Sequence, residues 1–181
     1  MIAIAFTGLA RSGKDAAADC LAERYGFEKL VMSDELALEL AKQGKEDTKM
    51  NRSRMGKELR QRFGDDVVAQ RVFEKALKNK LEKVVFVGPR SVSEIEFFRK
   101  KIQGFRLVAI KASPEKRFER KSAADGQTKE KFFERDRHDS TAFELEKVIE
   151  MADCTIENNA TIEEFRMSIG KLMQRLPLRK L

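Results

Sequence analysis

Tryptophan is absent from the chain, tyrosine and histidine occur once each, and there are two cysteines. Proteins that bind single strands of nucleic acid stack bases on a ladder of exposed rings, and no such ladder is spaced along this sequence. Cys20 and Cys154 stand far apart, with neither a CxxC pair nor histidine companions. That pattern excludes a disulfide framework and a thiolate metal centre, and we expect both as buried thiols in a reducing compartment. No apolar run approaches the roughly 20 residues that span a bilayer. The first apolar stretch is interrupted by Gly8 and Arg11 too soon to serve as a secretory leader. A cytoplasmic protein without a membrane partner is therefore expected.

What remains is a 181-residue chain, 41% hydrophobic and 37% charged, the balance of a single domain with a real core and a heavily solvated surface. The net charge of +7 comes from 37 basic residues set against 30 acidic ones. The two signs interleave along helical stretches such as KNKLEK and KEKFFERDR, as on solvated helix faces, which argues against nucleic acid as a partner. The same excess suits a polyphosphate ligand.

The most informative stretch is Gly8-Leu9-Ala10-Arg11-Ser12-Gly13-Lys14-Asp15 followed by Ala16. An apolar strand-like run at 2–6 precedes it and a helical pattern over 15–25 follows. Glycines at a strand-to-helix joint let consecutive N–H groups point inward at an anion, which the start of the helix also favours. Lys14 adds a full charge that reaches the outer phosphates of a nucleotide. The usual residue after such a lysine is a Mg²⁺-binding Ser or Thr, and here it is Asp15. Its carboxylate is either a hard oxygen ligand for Mg²⁺ or simply a favourable acid in the first helical turn.

Strand patterns at 27–32, 84–87, 106–111 and 154–156 alternate with helices, the signature of an α/β domain with a parallel sheet. Ser33, Ser91, Ser113 and Thr161 read as helix caps, with capping-box glutamates at Glu94 and Glu164 and Pro114 at a first helical position. Inward faces are expected from Met55, Leu59 and Phe63, from Val67, Val68, Val72, Phe73, Ala76 and Leu77, and from Ile162, Phe165, Ile169 and Leu172. Three helices between the second and third strands exceed what a crossover needs and suggest a helical flap. Ligands of such sheets bind outside the carboxyl ends of the strands. Here those ends are the glycine loop, Ser33-Asp34, Gly88-Pro89-Arg90, Ser113-Pro114 and Glu157-Asn158-Asn159.

These segments, taken in order, resemble the phosphate-loop kinases of the nucleoside-monophosphate kinase and dephospho-CoA kinase type, above all the small archaeal nucleotide-kinase-like, adenylate-kinase-related group. The resemblance covers nearly the whole chain. It rests on GLARSGKD, SDELALELA, GPRSVSEIEFF, SPEKRFERK, ERDRHD and MADCTIENNATIEEF. GPRS is similar to the DGFPR segment of adenylate kinases, and ADCTIENNATIEEF to the ending of dephospho-CoA kinases. The resemblance implies a three-layer fold with a five-stranded parallel sheet, an acceptor flap over about 33–81 and a helical lid over about 112–137. It also implies ATP and Mg²⁺ and an acceptor that is a nucleotide or nucleotide-like small molecule; a monomer or weak homodimer is expected.

Carried over by position, residues 8–16 would hold the donor and Lys14 its outer phosphates. Arg90 would hold the acceptor's phosphate, with Asp34, Arg54 and Arg60 bordering the acceptor. Arg117, Arg120, Arg135 and Arg137 would close on the transferring group, and Asn158 and Asn159 would lie beside the base. The chemistry agrees with the arginine roles, since phosphoryl transfer needs positive charge on the equatorial oxygens more than covalent help.

The plainer readings are surface pairs of Arg117 and Arg120 with Glu115 and Glu119, a solvated ERDRHD cluster, and a surface pair of His138 with Asp139. Related kinases carry an Asp at the end of the third strand where this chain has Val87, so Asp15 is expected to take over part of the metal's anchoring. Transfer to a ribose hydroxyl, and a nucleotide-binding regulatory or RNA-associated module, are the alternatives to a monophosphate kinase.

Overall fold

A computed structural model describes residues 1–120, 128–142 and 144–176, with the backbone alone at 135 and 138–142. Five parallel strands, β1 (Ile2–Thr7), β2 (Glu28–Val31), β3 (Lys83–Val87), β4 (Arg106–Lys111) and β5 (Cys154–Glu157), form one sheet in the order β2-β3-β1-β4-β5. Alternating side chains send Ala3, Ala5, Val84, Phe86 and Leu107 to one face and Ile4, Phe6, Val85, Val108 and Ile110 to the other. Both faces are buried, which is why β3 reads as an unbroken apolar run.

Helices α1 (Lys14–Tyr25) and α9 (Ile162–Arg175) cover the second face with Ala17, Leu21, Phe165 and Ile169. The first face is covered by α4 (Val67–Lys78), α5 (Val92–Lys101) and α8 (Leu145–Glu150). Helices α2 (Met32–Lys42) and α3 (Lys49–Phe63) extend that layer through Leu40, Met55 and Leu59. The three-layer expectation holds, and the helices of the expected flap, α2 to α4, lie in that first-face layer. The stretch expected as a lid holds the six-residue α6 (Pro114–Glu119) and the 14-residue α7 (Lys129–Ala142). Phe132 is buried there beside Phe118 and Phe133, ring centroids 5.7 and 5.5 Å away, outside both core clusters. Among the described residues no helix is long and apolar enough to cross a membrane.

The capping boxes at Ser91/Glu94 and Thr161/Glu164 and the Ser113 cap with Pro114 form as the sequence indicates. Ser33 does not cap α2. That helix begins two residues earlier than such a cap requires, at Met32 after Val31, and the Ser33 hydroxyl instead meets Arg52 Nη1 at 3.2 Å. Phe63, Leu77 and Ile162 are exposed rather than inward. Each sits at or near a helix end, where the buried stripe runs off the core. Helix α7 continues past residue 137 to Ala142, and Cys154 is half-buried while Cys20 is buried.

Candidate active site

The chain reverses its direction of travel across the sheet at β1, whose neighbours β3 and β4 depart to opposite sides. That switch point opens a crevice at the carboxyl end of β1, and the glycine loop fills it. Both loop glycines are required by their surroundings. A Cβ on Gly8 would stand 2.2 Å from the Ile110 carbonyl oxygen of β4, and one on Gly13 (φ +106°) would stand 2.2 Å from Asn158 Nδ2. Arg11, at φ 60°, holds a left-handed backbone without glycine's freedom. Its guanidinium lies 4.6 Å from the centre of the Phe132 ring in the lid.

Lys14 lies across this loop, its ammonium donating to the carbonyls of Gly8 and Leu9 at 2.8 Å each. Burial, then the nearby charge of Arg90 and that of Arg117, lower its pKa to about 8, and Asp15 and Asp136 offset them only in part. Lys14 thus stands buried in a field that Asp15 and Asp136 leave net positive, which an anion would relieve. The hydroxyl of Ser12, fully buried, has no hydrogen-bond partner among the described residues.

Arg117 and Arg120 do not pair with Glu115 and Glu119. Arg117, 2% exposed, grips Asp136 of α7 with both terminal nitrogens and donates to the carbonyls of Ala112 and Ala10 at 3.1 and 3.3 Å. Arg120 donates to the carbonyls of Arg11 (3.3 Å), Ser12 (3.2 Å) and Asn158 (2.6 Å). Asn158 Nδ2 donates to Ser12 O at 2.8 Å, and Asn159 Oδ1 accepts from the Ser113 amide at 2.7 Å. The structure thus gathers Arg117, Arg120 and Asn158 around the outside of the loop, where they hold its shape. Leu9 packs on the first-face core and Ala16 on the second. Arg137 is exposed on α7, while the side chains of Arg135 and His138 lie outside the described residues.

At the carboxyl end of β3, Gly88-Pro89-Arg90 is held against β1, with the Gly88 amide donating to Phe6 O at 2.9 Å and Thr7 Oγ1 to Pro89 O at 3.2 Å. Arg90 is exposed at that turn. Asp34, in the first turn of α2, has a side chain 58% exposed and lies 4.0 Å from Arg52. Arg52 in turn grips Asp47, Nη2 to Oδ2 2.6 Å. Arg60 pairs with the buried Glu94 at 2.8 Å. Arg54 is exposed on the opposite side of α3 from Gly56 and Leu59. Asp15, its side chain 69% exposed, meets Lys29 at 3.1 Å. Val87 is buried in the α1 layer, and no cluster of metal-ligating residues occurs among the described residues.

Sequence reasoning missed Arg52, Asp136 and the burial of Glu94. Arg52 and Asp136 carried no signal beyond charge, whereas Glu94 was visible as a cap but not as an ion-pair partner.

No family model matches the chain. A UPF0200 protein of Thermococcus kodakarensis is 35% identical over 94% of this chain and 95% of its own length. Another, from Methanothrix thermoacetophila, is 32% identical over 96% and 97%. The chain belongs to the UPF0200 family. A protein named UPF0200/UPF0201 from Archaeoglobus fulgidus is 37% identical across 97% of this chain. This chain spans about half, 56%, of that relative's length. Among solved structures, TT1252 from Thermus thermophilus superposes with a TM-score of 0.67 at 19% identity, covering 97% of each chain. A shikimate kinase from Bacteroides thetaiotaomicron gives 0.63 at 13%, covering 96% of this chain and 98% of its own. A gluconokinase from Sinorhizobium meliloti gives 0.52 at 15%, covering 96% and 94%. The UPF0200 chain therefore shares the fold of small-molecule kinases built on a phosphate-binding loop. Those likenesses settle the fold and leave the monophosphate-kinase and dephospho-CoA-kinase resemblance as a finer reading.

Proposed function

We propose that this UPF0200 protein is an ATP-dependent, Mg²⁺-requiring kinase that transfers the γ-phosphoryl group to a phosphate or hydroxyl of a nucleotide-like small molecule. The observation that carries this reading is Lys14, laid across the glycine loop with Arg90 and Arg117 close enough to depress its pKa. Loop amides and Lys14 hold the donor's phosphates, Arg90 receives the acceptor's anionic group, and Asp34 borders the acceptor. Arg117 keeps the lid and loop in register through Asp136 and Ala10, Arg120 and Asn158 brace the loop, and Arg137 approaches on the lid. Asn159 stands at the nucleotide's rim. Bound Mg²⁺ would neutralise phosphate charge. A donor set of one carboxylate plus phosphates is the arrangement this ion tolerates, and Asp15 supplies the carboxylate once its pair with Lys29 opens.

Val87 supports a second reading, a nucleotide-binding module that turns over slowly or not at all, because no acid stands where one would anchor the metal. A coupled assay of ADP release across nucleoside monophosphates, dephospho-CoA, shikimate and gluconate, beside ATP alone, separates the two. The kinase reading expects acceptor-dependent release, lost in Lys14→Met. ATP binding with no acceptor-dependent release anywhere would favour the module, and RNA binding that weakens steeply with salt would identify its partner.

A further inference from the structure

Among the described residues two glutamates form capping boxes, and they are unalike. Glu164 is exposed, and its Oε2 meets only the Thr161 amide and hydroxyl at 3.1 Å each. Glu94 is 1% exposed and uses both oxygens. Its Oε2 accepts from the Arg90 amide at 2.7 Å and the Ser91 amide at 3.2 Å, and its Oε1 accepts from Arg60 Nη2 of α3 at 2.8 Å. A cap needs neither the burial nor the cation. Burying a carboxylate is costly unless every lone pair is met, so the arrangement asks for a reason beyond ending a helix.

The reason lies in what the two oxygens touch. One holds the backbone of Arg90, on the turn that Thr7 and Phe6 fix from the other side. The other holds the flap through Arg60, which lies over Gly56, where a Cβ would come to 3.0 Å of Nη1. Arg60 Nε is buried without a hydrogen-bond partner among the described residues, so the guanidinium is held by Glu94 and not by a net of bonds within the flap.

We propose that Glu94 is a positioning residue that sets the angle of Arg90 and transmits flap position to it through Arg60, so that anion capture at Arg90 and flap placement are one event. The proposal rests on the acceptor role given to Arg90 above. It does not rest on phosphoryl transfer itself.

The test is residue-resolved NMR on ¹⁵N-labelled protein titrated with inorganic phosphate. In the wild type the Arg90 amide and the Arg60 Nε–H should shift together along one binding curve. In Glu94→Gln, which keeps an acceptor for the two amides but removes the charge facing Arg60, the Arg60 signal should fall silent. Phosphate affinity at Arg90 should then drop about tenfold, the loss expected when one charge-assisted contact goes. Arg60→Met leaves the cap bonds intact and serves if the Glu94 variant does not fold; Arg90 should lose the same affinity there.

An Arg90 response of equal affinity in wild type and variant overturns the proposal. So does a wild type in which Arg60 does not move, or in which Arg90 ignores phosphate. A parallel ATP titration read at the amides of residues 8–14 reports on the kinase reading separately. A silent loop beside a coupled Arg90 and Arg60 would refute the kinase and leave the relay standing.

Discussion

Lys14 faces two loop carbonyls and two nearby guanidinium groups, so its charge is useful to an anion and costly to the empty fold. Lys14→Met should abolish ATP binding, read by calorimetry, while leaving the unfolding midpoint no lower than that of the wild type. A midpoint that fell with binding intact would make the residue structural.

The pH dependence follows with a definite sign. A lysine held at about 8 instead of 10.5 binds fewer protons folded than unfolded. Its contribution to stability therefore rises as pH climbs from about 8 to 10.5. The stability of wild type relative to Lys14→Met should grow across that window in denaturant titrations. Triphosphate binding should return the proton, so calorimetry at pH 8 in buffers of different ionisation enthalpy should show uptake of about half a proton. Zero uptake would mean the ammonium is already fully charged.

At the scale of elements, the loop is shaped from outside its own sequence. Asn158 follows β5 and Arg120 ends α6, yet both bond loop carbonyls. Asn158→Ala should lower stability by about 1 kcal/mol, the net worth of the lost Nδ2 bond to Ser12 O, since Arg120 still donates to that carbonyl. Gly13→Ala should cost about 3 kcal/mol, because an added Cβ meets a pinned Asn158 amide on a left-handed backbone. Urea titrations check both, and a combined variant less destabilised than the sum would show that they act on one contact.

What was legible in the sequence follows the same division. The glycine loop, the capping boxes at Glu94 and Glu164 and the strand at Arg106–Lys111 are local, so spacing alone revealed them. The loop carbonyls that Arg117 and Arg120 meet lie more than a hundred residues away in the chain, beyond any spacing argument. Ser33 looked like a cap because the end of β2 turns directly into α2 without a connecting residue to spare.

Across the whole molecule, the flap and the lid are attached by different forces. Val67, Val68, Val72 and Ala76 of α4 share one apolar cluster with Ala5 and Phe86 of the sheet, so that part of the flap cannot leave without exposing core. The lid has its own ring cluster and meets the loop through Arg117, Arg120 and the Arg11 contact with Phe132. Bonds of that kind exchange readily for phosphate oxygens, whereas buried apolar area does not exchange for anything a nucleotide offers.

Opening free energies should therefore rank α7 lowest, with α4 close to the central strands. In native-state hydrogen exchange, amides of α7 should exchange first and those of α4 near the rate of β1. A non-hydrolysable ATP analogue with Mg²⁺ at about 100 times its Kd should slow α7 selectively. Exchange of the sheet should slow only by the global term of about 2.7 kcal/mol that linkage allows. Equal protection of α7 and α4 without nucleotide would show that arginine contacts fix the lid as firmly as the core holds the flap, and a lid so fixed could not admit a triphosphate to Lys14.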